Sequence, residues 1–129
     1  MTRGRLKRYL GDFKIALDNL KNAVDEAHTD LEIDGSIKRF ELCYELGWKL
    51  MKEVLADLGI ICNSPRICFK EAFKNGLIDN EEMWLAMIED RNLLVHTYNF
   101  EVSRDVFENI KRYYLDLFEL FYKRVLENG

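Results

Sequence analysis

Histidine is scarce in this chain of 129 residues, with only His28 and His96. His28 falls at the C-terminal end of the first helical stretch, where a cation complements the helix dipole. His96 stands in Asp90-Arg91-Asn92-Leu93-Leu94-Val95-His96-Thr97-Tyr98-Asn99, the densest polar cluster within an otherwise apolar helix. Histidine takes up and returns a proton near neutral pH, and arginine keeps its charge while offering a planar fork to a phosphate. Together they suit attack of a ribose 2′-hydroxyl on its own phosphate, with His96 as base and Arg91 as charge clamp, and no metal or other cofactor is needed. Asn92 would orient the histidine or a phosphate. Tyr98 offers a hydroxyl that could hydrogen-bond or accept a transferred group. Taken alone, Arg-x-x-x-x-His is a weak pattern that occurs often by chance.

The neighbours of Arg91 sharpen it. Its helical contacts three and four residues away are Met87, Ile88, Leu94 and Val95, all apolar. It is also the only Lys or Arg between Lys74 and Arg104, a span holding Asp79, Glu81, Glu82, Glu89, Asp90 and Glu101. A guanidinium is costly to bury unpaired, so its anion must come from another helix, another chain or a phosphate. A purely structural bundle would pair Arg91 with a carboxylate and enclose His96. At about 100° per residue, Arg91 and Tyr98 share one stripe, and Asn92 and His96 share the adjacent face. Arg91 and His96 are about 140° apart, so they converge only if the helix ends near His96 or if two copies meet.

The elements that must position this cluster read as helices. Leu6, Leu10, Phe13, Leu17, Leu20 and Val24 form one stripe. The polar stretch from Thr29 to Asp34 follows, with Asp34 or Ser36 as the expected cap of the next helix. A second stripe runs through Ile37, Phe40, Tyr44, Gly47, Met51, Val54 and Leu58 and ends at Gly59. Gly47 in mid-helix costs about 1 kcal/mol relative to Ala, which close approach of a neighbouring helix would explain. Ser64-Pro65 starts a short helix from about Arg66 to Lys74. Asp79 or Asn80 opens a fourth helix towards His96, Asn99 to Ser103 make a turn, and a long final helix carries Phe107, Ile110, Tyr114, Leu117, Phe121 and Val125. The expected fold is all-α: a single domain over residues 1–129, an up-and-down four-helix bundle with one extra short helix. Tyr113, Leu115, Phe118, Leu120 and Tyr122 widen the apolar face of the last helix, which points to a homodimer.

Composition bounds the rest. Apolar residues make up 48% and charged residues 33%, with one Pro, seven Gly and a net charge of −4. That fits a packed domain and argues against disorder and against a strongly basic nucleic-acid surface. Cys43, Cys62 and Cys68 are odd in number and lack Cys-x-x-Cys spacing, which suits free thiols in a reducing cytoplasm. No apolar run approaches the roughly 18 residues needed to span a bilayer. Arg3, Arg5, Lys7 and Arg8 oppose their own helix dipole, so this basic cluster is either frayed and solvated or touches RNA. Trp48 reads as core, and Arg66 as a surface residue or a partner contact.

Several linked motifs give the chain a resemblance. It resembles the HEPN superfamily in Arg91-Asn92-x-x-x-His96-x-Tyr98, late in the penultimate long helix. More closely, it is similar to the nucleotidyltransferase substrate-binding proteins. That likeness runs through Arg39-Phe40-Glu41, Tyr44-Glu45-Leu46-Gly47-Trp48-Lys49, Ser64-Pro65-Arg66, Glu71-Ala72-Phe73-Lys74-x-Gly76-Leu77-Ile78, Trp84, Met87, Asp90-Arg91-Asn92 and His96-Thr97-Tyr98. The resemblance implies a dimeric helical bundle encoded beside a minimal nucleotidyltransferase in a toxin–antitoxin-like pair. It implies either a binding subunit that docks the transferase, or a metal-independent ribonuclease toxin silenced by adenylylation. On that basis Arg91 and His96 are catalytic, Asn92 supports them, Tyr98 is the modification site and Asp90 an accompanying binding position. The implied partners are a second copy, the transferase, and RNA in a cleft made by two chains.

Overall fold

Thr29 and Glu32 form a capping box that starts the second helix earlier than expected. The Thr29 hydroxyl accepts from the Glu32 N–H at 3.2 Å, and the Glu32 carboxylate accepts from the Thr29 N–H at 3.0 Å. Two donors without helical partners are thereby satisfied reciprocally, which neither Asp34 nor Ser36 could do alone. Those two are corrected to interior positions, and the Ser36 hydroxyl donates to the Glu32 carbonyl at 3.0 Å.

The computed structural model describes residues 2–96 and 99–128. Its helices are α1 (Thr2–Glu26), α2 (Asp30–Asp57), α3 (Pro65–Lys74), α4 (Glu81–His96), α5 (Phe100–Asn109) and α6 (Leu115–Asn128). A single π-helical turn, Ile110–Tyr114, joins α5 to α6, so the two read as one long interrupted helix. Among the described residues there is no strand. Four long helical rods and the short α3 make the expected all-α bundle. Among the described residues, no helix is long and apolar enough to cross a membrane.

Ser64 caps α3 through the Ile67 N–H, with Pro65 at its first position. Gly59 and Gly76 take positive φ (83° and 75°) just past the ends of α2 and α3. After each, the next N–H folds back on the helix, Ile60 to the Leu55 carbonyl and Leu77 to the Ala72 carbonyl, both at 2.9 Å. Asn99 caps α5, its side chain accepting from Glu101 and Val102. The turn expected over Asn99 to Ser103 is therefore already helix from Phe100.

The π turn also alters which residues face inward. The Leu115 N–H reaches back to the Ile110 carbonyl, five residues away, so one extra residue enters the turn. The buried stripe then continues through Tyr114, Phe118, Phe121 and Val125, and Phe118 takes the core place expected for Leu117. Tyr122 packs against Phe13 of α1, their ring centroids 6.4 Å apart. Much of the wide apolar face therefore serves this chain's own core, while Tyr113 and Leu120 stay exposed.

The core is aromatic. Phe13 meets Phe118 and Phe121 edge-on, Trp84 meets Phe69 at 4.9 Å, and Phe40 stacks on Tyr114 at 5.7 Å. Each such pair contributes about 0.5–1.5 kcal/mol beyond its area burial. Gly47 is the close approach its position suggested: a Cβ there would sit 3.1 Å from Phe13 Cε1. Helix α1 begins at Thr2, and Arg5 pairs with Glu53 of α2 at 3.5 Å, so the basic start is tethered at one residue at least.

Two cysteine expectations need correction. Cys62 and Cys68 form a disulfide, their Cα atoms 5.2 Å apart, and only Cys43 remains a thiol. The Ser64-Pro65 helix start folds the loop back so that positions six apart meet. The inference of a reducing compartment from three free thiols loses its basis. Burial pushes the Cys43 thiol well above its ordinary value.

Candidate active site

Helix α4 carries the polar cluster and ends at His96. Asn80 sets its start from a positive φ of 42°, accepting from the Met83 N–H, and Glu81 and Glu82 follow where the dipole favours acids. Trp84, Met87 and Ile88 anchor one face in the core. The side opposite this anchor is left to solvent as the helix runs out.

Asp90 braces the helix. Its Oδ2 accepts from Tyr114 Oη at 2.5 Å and from Asn109 Nδ2 at 2.9 Å. Tyr114 lies in the π turn, so that irregularity and the polar segment of α4 are joined directly.

Arg91 finds its anion on α2. Its Nη2 donates to Glu45 Oε1 at 3.4 Å, and its guanidinium lies 5.7 Å from the centre of the Tyr44 ring. The Glu45 carboxylate is itself held by Trp48 Nε1 at 3.3 Å. Arg91 is still 33% exposed and Glu45 38%, so this long contact leaves other guanidinium donors open. Burial pushes the Tyr44 hydroxyl up to about 12; Arg91 opposes that shift, Glu45 adds to it, and Arg66 opposes it.

His96 is exposed at the last residue of α4, and Asn92 one turn earlier is half-buried. The structure thus meets one half of the purely structural expectation, a carboxylate for Arg91, and departs from the other, since His96 is not enclosed. Tyr98 lies outside the described residues. Trp48, expected in the core, sits at its margin beneath Lys52. Glu45 is the residue that spacing alone missed. It is 46 positions from Arg91, and no helical period connects them.

A groove of about 350 Å³ opens one turn beyond Arg91, between Leu94, the first half of α2 and Ser103 of α5. Leu31 and Ile37 line it with Leu94, and Asp34, Lys38 and Glu41 rim it. Among the described residues, no group of three or more His, Cys, Asp or Glu is placed to hold a metal ion.

The last turns of one helix in an all-α bundle thus carry a braced arginine and an exposed histidine. Residues 8–127 match the family described as nucleotidyltransferase substrate binding protein like, and the chain belongs to that family. It is 33% identical over 94 residues to a Haemophilus influenzae protein named Probable ribonuclease HepT, covering 67% of this chain. The match spans 63% of that relative's length. A solved structure of a tri-AMPylated Shewanella oneidensis HEPN toxin in complex with an MNT antitoxin has a similar fold. Its TM-score is 0.77 at 19% identity, covering 95% of this chain and 96% of that one. A second structure, from Haemophilus influenzae, is described as the fold of a substrate binding domain of a nucleotidyltransferase. It aligns with TM-score 0.65 at 26% identity, covering 94% and 96%.

Proposed function

We propose that this chain is the HEPN-type subunit of a two-gene, toxin–antitoxin-like module. It docks a minimal nucleotidyltransferase and cleaves RNA, without a metal, at Arg91 and His96. The observation that carries the reading is the contrast on α4: Arg91 is braced by Glu45 and Tyr44 yet partly open, while His96 stands exposed at the helix end. Exposure leaves His96 able to reach a substrate, as proton transfer requires.

In the reaction, His96 removes the ribose 2′-hydroxyl proton and the 2′-oxygen attacks the adjacent phosphorus. The P–O5′ bond breaks, the 5′-oxygen takes a proton from water, His96 returns its own proton to solvent, and a 2′,3′-cyclic phosphate remains. Arg91 holds the charge that develops on the phosphoryl oxygens. Asn92 orients the phosphate or His96, and Asp90 acts by holding α4 in place. Tyr98 receives an adenylyl group from a nucleoside triphosphate, with pyrophosphate leaving, and the modified chain is silent.

The active unit is a homodimer in which α4 of each copy lines one cleft. Leu93, Val95 and Phe100, each about half exposed around the end of α4, support association there. The relative named as a ribonuclease and the toxin structure solved with its antitoxin support the two-component reading by analogy. The module's setting is the cytoplasm, where its RNA would be.

Expression of the chain alone, with and without the neighbouring transferase, tests the reading. Wild type should arrest growth and cut RNA, and His96→Ala should lose about 10²–10⁴ in rate. Co-expression should restore growth and add adenylate mass to a peptide containing Tyr98. A harmless wild-type chain with no RNA cleavage would sink the ribonuclease reading, and failure to co-purify with the transferase would sink the docking.

A further inference from the structure

Glu45 has a contact but no task in the reaction above. It stands on α2 one turn before Trp48, whose indole N–H donates to its Oε2 at 3.3 Å. Its other oxygen, Oε1, accepts from Arg91 Nη2 at 3.4 Å. Beneath the same guanidinium lies the Tyr44 ring, its centre 5.7 Å from Arg91 Cζ. That ring is buried, and Phe40 of its own helix and Phe69 of α3 hold it at 6.3 and 6.2 Å. Arg91 therefore lies over a rigid floor. Among the described residues, Glu45 alone sets its direction with a hydrogen bond.

We infer that Glu45 is a positioning residue: it aims the Arg91 guanidinium before RNA binds and shares that guanidinium with the phosphate afterwards. The inference rests on the reading of Arg91 as the phosphate-holding residue of an RNA-cleaving site.

A pair built for stability would look different. A bidentate arginine–carboxylate pair makes two short bonds of about 2.7–2.9 Å. Here one long contact joins two partly exposed groups, and such pairs contribute only about 0–1 kcal/mol to stability. The geometry suits orientation better. Trp48 fixes Oε2, so Oε1 meets Arg91 from a set direction, and the donors that this contact leaves unused remain for phosphoryl oxygens. A charge held in place beforehand need not reorganise as negative charge grows on the phosphoryl group, which favours the transition state. The same carboxylate repels the phosphate of the bound substrate, so Glu45 weakens ground-state binding while it raises turnover.

The test measures kcat and KM for cleavage of a short single-stranded RNA by the full chain. Glu45→Gln keeps the shape and an acceptor for Trp48 but removes the charge. Its kcat should fall by about 10–10² as Arg91 loses its aim, and its KM should fall several-fold as the repulsion goes. The gain in KM should fade as salt rises, because screening weakens the repulsion that the wild type suffers. Glu45→Asp keeps the charge but draws it back, so kcat should fall with no gain in KM. Glu89→Gln removes a carboxylate of α4 that pairs with Arg66 instead, and it should leave kcat at the wild-type value. For Glu45→Gln, an unchanged kcat, or a fall in kcat with no fall in KM, would overturn the inference, as would an equal loss of kcat in Glu89→Gln. Should the wild type cut no RNA, nitrogen NMR relaxation of the Arg91 Nε–H group separates the two ideas. Loss of order in Glu45→Gln would retain Glu45 as the residue that aims Arg91 and remove the RNA reading, whereas equal order in both chains would overturn the inference itself.

Discussion

Tyr114 donates its phenolic hydrogen to Asp90 at 2.5 Å, joining the π turn of the last helix to the segment of α4 that carries Arg91. The same carboxylate oxygen also accepts from Asn109, so both contacts to the last helix converge on one atom. Burial, then the bond to Asp90 and its charge, push the Tyr114 hydroxyl far above its ordinary value. The proton stays on the tyrosine and the bond persists across the physiological range. The π turn adds one residue to the helix and is the feature that brings Tyr114 opposite Asp90 while Phe118 enters the core.

Tyr114→Phe keeps the ring stacked on Phe40 and removes only the donor to Asp90. Loss of a hydrogen bond to a charged group costs about 1.5–3 kcal/mol. In denaturant unfolding, the midpoint should fall with an unchanged slope. A midpoint equal to wild type would show that the bond is dispensable and that α4 is held by apolar packing alone.

Gly47→Ala sets two effects against each other. Alanine gains about 1 kcal/mol of helix propensity, but its Cβ would meet Phe13 Cε1 at 3.1 Å. The Phe13 ring is fully buried against Phe118, Phe121 and Tyr122 and has little room to move. Overpacking of this kind costs about 1–3 kcal/mol, so the variant should be net destabilised by about 1 kcal/mol. A stabilised variant would show that α1 shifts freely away from α2.

Thiol counting checks the cysteine arrangement. Denatured without reductant, the chain should show one reactive thiol, Cys43, and after reduction all three. Closing so short a loop should stabilise by about 2 kcal/mol, visible as a lower unfolding midpoint for Cys62→Ala/Cys68→Ala. Three reactive thiols before reduction would refute the pairing.

Glu32 gives the chain a pH-dependent cap. Hydrogen bonds from the backbone N–H groups of His28 and Thr29 hold its carboxyl below the ordinary 4.5. The folded chain therefore binds this proton less tightly than the unfolded chain does. The cap's contribution is complete above about pH 4.5 and is lost as pH falls from there through the lowered value. Glu32→Gln should lower stability at neutral pH and flatten the acid limb of the stability curve. Parallel acid limbs for the variant and wild type would place the pH sensitivity elsewhere.

Helical periodicity made the bundle legible, because a stripe repeating every three or four residues has one way to be buried. The stripes from Leu6 to Val24 and from Ile37 to Met51 pack much as their spacing requires. Periodicity failed where a rule other than burial decides. The Thr29–Glu32 box and the Asn99 cap moved two helix starts, since satisfying orphan N–H groups outweighs composition. The π turn exchanged Leu117 for Phe118, because an inserted residue rotates everything after it.

The site divides the same way. The order of residues along α4 determined that Arg91 has no helical anion, that Asn92 and His96 share a face, and that chemistry, if present, lies there. Only tertiary structure could decide that Glu45 meets Arg91, that Tyr114 holds Asp90, and that Arg66 pairs with Glu89. The reason is physical. Spacing along one helix sets angles on that helix, but charges 46 residues apart meet only when the packing of apolar faces brings their helices together.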